Sequence, residues 1–85
     1  MPPDRIAEAV CSQVARLLKE ERERRGFSLN SVAQSAGLSW HAVRFVENGL
    51  RNPTLDTLVR LSIALEIDLE TLIAKARKRA AVKGK

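Results

Sequence analysis

Ser28 and Ser39 each stand before a stretch of helical character, and each stretch closes on a glycine, Gly37 or Gly49. A serine hydroxyl accepts a hydrogen bond from the free N–H groups of a first helical turn, and glycine takes the left-handed conformation at the other end without steric penalty. Residues 28–49 are therefore expected to form two short capped helices joined by a single-glycine turn, one from Leu29 to Ala36 and one from Ser39 to Asn48. Val32, Ala33 and Ala36 supply the buried face of the first, and Val43 and Val46 that of the second. The free face of the second helix then carries Trp40, His41, Arg44 and Phe45.

The rest of the chain repeats the helical pattern. From Arg5 to Arg25 the residues Ile6, Val10, Val14, Leu17 and Leu18 recur at helical spacing, with Asp4 after two prolines as the expected N-cap and Gly26 as the stop. Cys11 falls at the edge of that stripe and reads as a small packing residue. Pro53 and Thr54 precede a helix over Leu55–Leu65, whose Leu55, Leu58, Val59, Ser62 and Leu65 are expected to face the core. Asp68 is the expected cap of a fifth helix, from Leu69 to about Ala80, with Leu69, Leu72, Ile73 and Ala76 as its stripe. No segment alternates with period two, so no strand is expected. Short connections make residues 1–85 one compact all-α unit of five helices.

Composition narrows the function classes. One cysteine allows no internal disulfide, and one histidine beside it leaves no zinc quartet, so neither metal nor cofactor is expected. There are no paired carboxylates, no glycine-rich phosphate cradle and no nucleophile with a base, so nothing supports an enzyme. No apolar run has the length of a signal peptide or a membrane span, which points to a soluble cytoplasmic protein without a membrane partner. The net charge of +5 is unevenly placed: residues 75–85 carry Lys75, Arg77, Lys78, Arg79, Lys83 and Lys85 with no acid, while residues 1–74 hold nine basic and ten acidic groups. Two readings of that tail stay open, a phosphate-docking arm or a frayed, solvated helix end that complements the helix dipole.

A capped helix, a glycine turn and a second capped helix ending in Glu-Asn-Gly form a helix-turn-helix pattern. With Gly26, Ala33, Gly37, Ser39, Val43, Val46, Glu47, the Asn-Pro-Thr before the fourth helix and Leu72, the segment from about Val14 to Ile73 resembles the lambda repressor/Cro-type family, often called the XRE family. The resemblance implies a lambda repressor-like fold with the Ser39 helix in the DNA major groove and the amino end of the Leu29 helix on the backbone. It places base readers at Trp40, His41, Arg44 and Phe45, and phosphate contacts at Leu29 through its N–H, at Asn48 and at Arg51. Ser28 and Ser39 belong to the same DNA-binding set as the residues that open the two helices. It also sets Arg22 opposite Glu47, either as a bridge that fixes the reading helix or as two independent surface charges. Polar residues commonly fill the family's reader positions, and a glutamine often stands where this chain has Leu29.

Arg44 can take a guanine edge bidentately, His41 can donate to a base or a phosphate, and Phe45 can meet a thymine methyl. Trp40 can lie along the sugars, stack with Arg44 one turn away, or fold onto the domain's own core. Ile63 points away from the expected core, and with Ile67, Leu69 and Ile73 it could form the patch of a two-fold homodimer rather than being a scattered surface residue. Such a dimer would read an inverted-repeat operator. The expected function is sequence-specific double-stranded DNA binding as a small dimeric transcriptional regulator. The alternative is a protein-interaction module, antitoxin-like or regulator-binding, that keeps the fold without base reading. A domain of this length resembles restriction-modification controllers, antitoxin components and phage-type repressors alike, and with no ligand domain in view no small-molecule inducer is expected.

Overall fold

The computed structural model describes residues 2–83. Its five helices are α1 (Pro3–Arg24), α2 (Leu29–Ala36), α3 (Trp40–Glu47), α4 (Leu55–Ala64) and α5 (Leu69–Lys83), with no strand among the described residues. None of these helices is long and apolar enough to cross a membrane. Three starts are capped as the side chains dictate: Ser28 Oγ accepts from Ser31 N–H at 3.0 Å, Ser39 Oγ from Ala42 N–H at 3.1 Å, and Thr54 Oγ1 from Thr57 N–H at 3.1 Å. The start of α1 differs from expectation. Pro2 holds the cap position without a side-chain bond and Asp4 lies in the first turn. A proline at the helix start has no N–H to satisfy and its φ is already helical, so the helix begins before Asp4, whose charge then complements the dipole.

All five helices contribute to one core. Leu18 of α1, Val32 of α2, Val43 of α3, Leu61 of α4 and Leu65 just beyond α4 are almost wholly buried, and Leu72 and Ala76 of α5 close the cluster. α5 lies along α1 in the opposite direction, with Glu20 beside Arg79 and Arg25 beside Glu66. α3 is seated on α1 and α2, and α4 joins α2 to α5.

Three packing expectations need correction. The buried side of α4 is Leu61, Ser62 and Leu65 with Leu58 half-buried, whereas Leu55 is 71% and Val59 40% exposed. Leu55, Val59 and Ile63 make one apolar line along α4 and Leu58, Leu61 and Leu65 another, so its periodicity fits two faces, and contact with α2 and α5 selects the one containing Leu61. Ser62 is accommodated there because its hydroxyl donates to Val59 O at 2.8 Å. On α1 the stripe is covered only from Val10 onward; Ile6 is exposed in the first turns, and Cys11 is exposed rather than packed, on the side of α1 that opens onto a groove with Gly49 and Pro53. Finally, of the basic run with its two readings, the described part is helical rather than frayed although its basic side chains are exposed, and α5 passes the expected end at Ala80. Helix α5 continues to Lys83, Ala76 and Ala80 are buried, and Arg79 grips Glu20 through two bonds of 3.0 Å. Lys85 and the side chain of Lys83 lie outside the described residues.

Candidate nucleic-acid interface

The α2–α3 turn is built around Gly37, whose φ of +69° belongs to the left-handed region. Space matters there as much as conformation. A Cβ on Gly37 would sit 2.9 Å from Nη1 of Arg60, which reaches over from α4 and donates to Ala36 O at 3.2 Å. Arg60 is itself held by Asp56 Oδ2, 2.8 Å from Nε. A cation thus closes the carboxyl end of α2, where the helix dipole favours one. Sequence reasoning missed this clamp. The i,i+4 spacing of Asp56 and Arg60 was visible, but the reach of Arg60 to another helix depends on how α2 and α4 pack.

Across the motif, Arg22 of α1 meets Glu47 at the end of α3. Nε and Nη2 donate to the two carboxylate oxygens at 2.7 and 3.0 Å, and Nη1 donates to Phe27 O at 2.9 Å. Both side chains are largely buried, at 13% and 6% exposure. The hydrogen bond that Arg22 donates to Glu47 raises the Arg22 pKa above its ordinary value, against the opposing effect of burial. With Glu47 turned inward, the outer face of α3 carries no carboxylate.

That outer face forms a continuous row. The Arg44 guanidinium carbon lies 5.2 Å from the Trp40 ring centroid, the His41 ring meets Trp40 edge-on at 4.8 Å, His41 and Phe45 are 6.2 Å apart, and Arg51 lies 5.6 Å over Phe45. Trp40 is half-buried among these neighbours and is not part of the core. His41, Arg44, Asn48 and Arg51 are exposed. The Asn48 N–H is spent on Arg44 O at 3.0 Å, which leaves its amide side chain as the outward group. At the amino end of α2, Ser28 and its cap bond account for Ser31 and Val32, so the N–H groups of Leu29 and Asn30 have no partner among the described residues. The Leu29 side chain packs on the core, and the Ser28 and Ser39 hydroxyls are occupied as caps.

The residues expected at a homodimer interface divide. Ile63 is 69% exposed, in line with Leu55 and Val59 on α4, whereas Ile67, Leu69 and Ile73 are half-buried against this chain's own core. Leu69 and Ile73 still line a shallow groove on α5 with Ala74.

Comparison with known proteins matches this geometry. The chain is 32% identical over 60 residues to the HTH-type transcriptional regulator SlrR of Bacillus subtilis, covering 69% of this chain and 40% of SlrR. Among solved structures it resembles the restriction-modification controller protein C.AhdI from Aeromonas hydrophila, with a TM-score of 0.69 and 32% identity over 74% of this chain and 94% of that one. It also resembles SinR, the master regulator for biofilm formation, solved in complex with DNA, with a TM-score of 0.66 and 28% identity over 71% of this chain and 97% of that one. The chain spans about half the full length of B. subtilis SinR, 55%, and less of SlrR. Residues 18–72 match the helix-turn-helix family, and the two clamped helices α2 and α3 fall within that match: the chain belongs to the helix-turn-helix family.

Proposed function

We propose that this chain binds double-stranded DNA in a sequence-specific manner, as a small dimeric transcriptional regulator of the cytoplasm. The observation that carries the reading is the outer face of α3 with the loop after it, where His41, Arg44 and the loop residue Arg51 stand exposed with no carboxylate among them, on a helix clamped to α1 through Glu47. A helix of this kind fits the major groove, where Arg44 can span the O6 and N7 of a guanine and His41 can donate to a base or phosphate oxygen. Trp40 and Phe45 complete the reading face. Asn48, Arg51 and the free N–H of Leu29 suit phosphates on either side. The likeness to SinR, solved in complex with DNA, supports this reading over a protein-interaction module.

The dimer rests on α4. Leu55, Val59 and Ile63 recur one turn apart and leave an exposed apolar stripe that a second copy could cover. A two-fold pairing there would present two α3 helices to an inverted repeat, with half-sites about 34 Å apart. The test is selection of duplexes from a random pool, followed by titration at several salt concentrations. Enrichment of an inverted repeat, with affinity well above that for unselected DNA, is expected; equal affinity for all duplexes would remove sequence reading from the proposal.

A further inference from the structure

Arg22, Arg24, Arg25, Arg60 and Arg79 each place the guanidinium against a carboxylate. Among the described residues Arg5, Arg16 and Arg77 do not, and nor do Arg44 and Arg51. Of the last two, neither makes a side-chain hydrogen bond or an ion pair with another described residue, yet each lies over an aromatic ring, Arg44 at 5.2 Å from the Trp40 centroid and Arg51 at 5.6 Å from that of Phe45. The difference has chemical meaning. A carboxylate consumes the in-plane N–H edge of a guanidinium, which is the edge that would grip a guanine or a phosphate. A ring takes only the face of the group and leaves that edge unspent.

We infer that Trp40 and Phe45 act as positioning residues, holding Arg44 and Arg51 in place on the reading face before DNA arrives. The inference rests on the DNA-binding reading of α3 given above. Helix geometry favours the first pair, because side chains on an α-helix lean toward its amino end, and Trp40 lies one turn on that side of Arg44. Trp40 in turn meets His41 in a T-shaped contact, with the two rings at 87°. A long arginine side chain loses much rotamer freedom on binding, and a stack formed in the free protein removes part of that loss. Trp40 therefore influences sequence preference through Arg44, and Phe45 influences backbone grip through Arg51.

The experiment is a double-mutant cycle on a duplex enriched by the parent protein, with melting curves to establish that each variant is folded. Trp40→Leu should weaken binding about two- to fivefold, the effect of an exposed cation–π contact, and should relax preference at the same base pair as Arg44→Ala. Trp40→Phe should restore most of the loss. In the Arg44→Ala background, Trp40→Leu should cost nothing further. Losses that multiply, or an unaltered base preference in Trp40→Leu, would overturn the inference while leaving DNA binding intact. A second readout needs no DNA: Trp40 is the chain's one tryptophan, so its emission should shift in Arg44→Ala, and an unchanged spectrum would overturn the stack itself. A parent that enriches no duplex at all would instead remove the reading on which the inference rests.

Discussion

At the scale of single residues, Gly37 and Glu66 adopt the same backbone conformation for different reasons. Gly37 has a φ of +69°, and its missing side chain is also the space into which Arg60 reaches. Gly37→Ala should lower stability by more than about 1–2 kcal/mol in urea unfolding, since left-handed strain of that size adds to a displaced Arg60 clamp. Glu66, at φ 57°, ends α4 in the same way, its N–H on Ile63 O at 3.1 Å and the Ile67 N–H on Ser62 O at 3.0 Å. Glu66→Gly should therefore stabilise the fold by about 1 kcal/mol, less the small contribution of an exposed contact with Arg25. A lower melting temperature in that variant would contradict the strain argument. The glycine stops were legible in the sequence because glycine alone takes this conformation freely. Glu66 was not, because nothing in a glutamate announces it. The outer residues of α3 were legible by elimination, once Val43 and Val46 were assigned inward, whereas the stacking of Arg51 on Phe45 depends on the path of the loop.

Elements are held to one another by a few charged contacts whose burial sets their importance. The Arg22–Glu47 bridge joins α1 to α3, and removing one partner strands the other in a largely buried site. Glu47→Ala should cost about 3–5 kcal/mol, as for a broken buried pair, while replacing Arg22 and Glu47 together with Met and Leu should cost much less. Denaturant midpoints of the three proteins check this. The Glu20–Arg79 contact between α1 and α5, and the Glu21–Arg24 contact within α1, are more open to solvent. In each, the hydrogen bond from arginine holds the carboxylate pKa below its ordinary 4.5. A lowered folded-state pKa adds stability that is complete above 4.5 and lost as pH falls through the lowered value. The melting temperature should consequently be flat from neutrality to about pH 5 and decline below it, with a shallower decline in a Glu20→Gln, Glu21→Gln variant. Helix positions, the caps at Ser28, Ser39 and Thr54, and the fold class were readable from sequence at this scale, whereas the cap expected at Asp4 was not the one found. The rotation of α4 was not, because its two apolar lines, one of Leu55, Val59 and Ile63 and one of Leu58, Leu61 and Leu65, fit two rotations until α2 and α5 choose one.

Across the whole molecule, charge and apolar surface are unevenly placed, although Ile6, Leu50 and Val82 of α5 are also exposed. The outer face of α3 is free of acids, the excess of positive charge lies on α5, and the exposed apolar side chains Leu55, Val59 and Ile63 share one side of α4. A chain this small buries a limited fraction of its surface, so covering that stripe with a second copy would add stability as well as geometry. The proposed dimer therefore predicts linkage between folding, association and DNA binding. Raising protein concentration should raise the melting temperature, because only the folded chain presents the stripe. Ile63→Asp would set a carboxylate at its carboxyl end, in both copies at once, and a buried unpaired charge is far more costly than a buried isoleucine is favourable. Sedimentation equilibrium at tens of micromolar should find the parent dimeric and Ile63→Asp monomeric, with an unchanged circular dichroism spectrum because Ile63 takes no part in the core. The variant should keep its preference for one half-site but lose the steep advantage of the inverted repeat, since two reading helices no longer arrive together. A variant that dimerises as strongly as the parent, or a parent that sediments as a monomer, would show that the α4 stripe is not the interface.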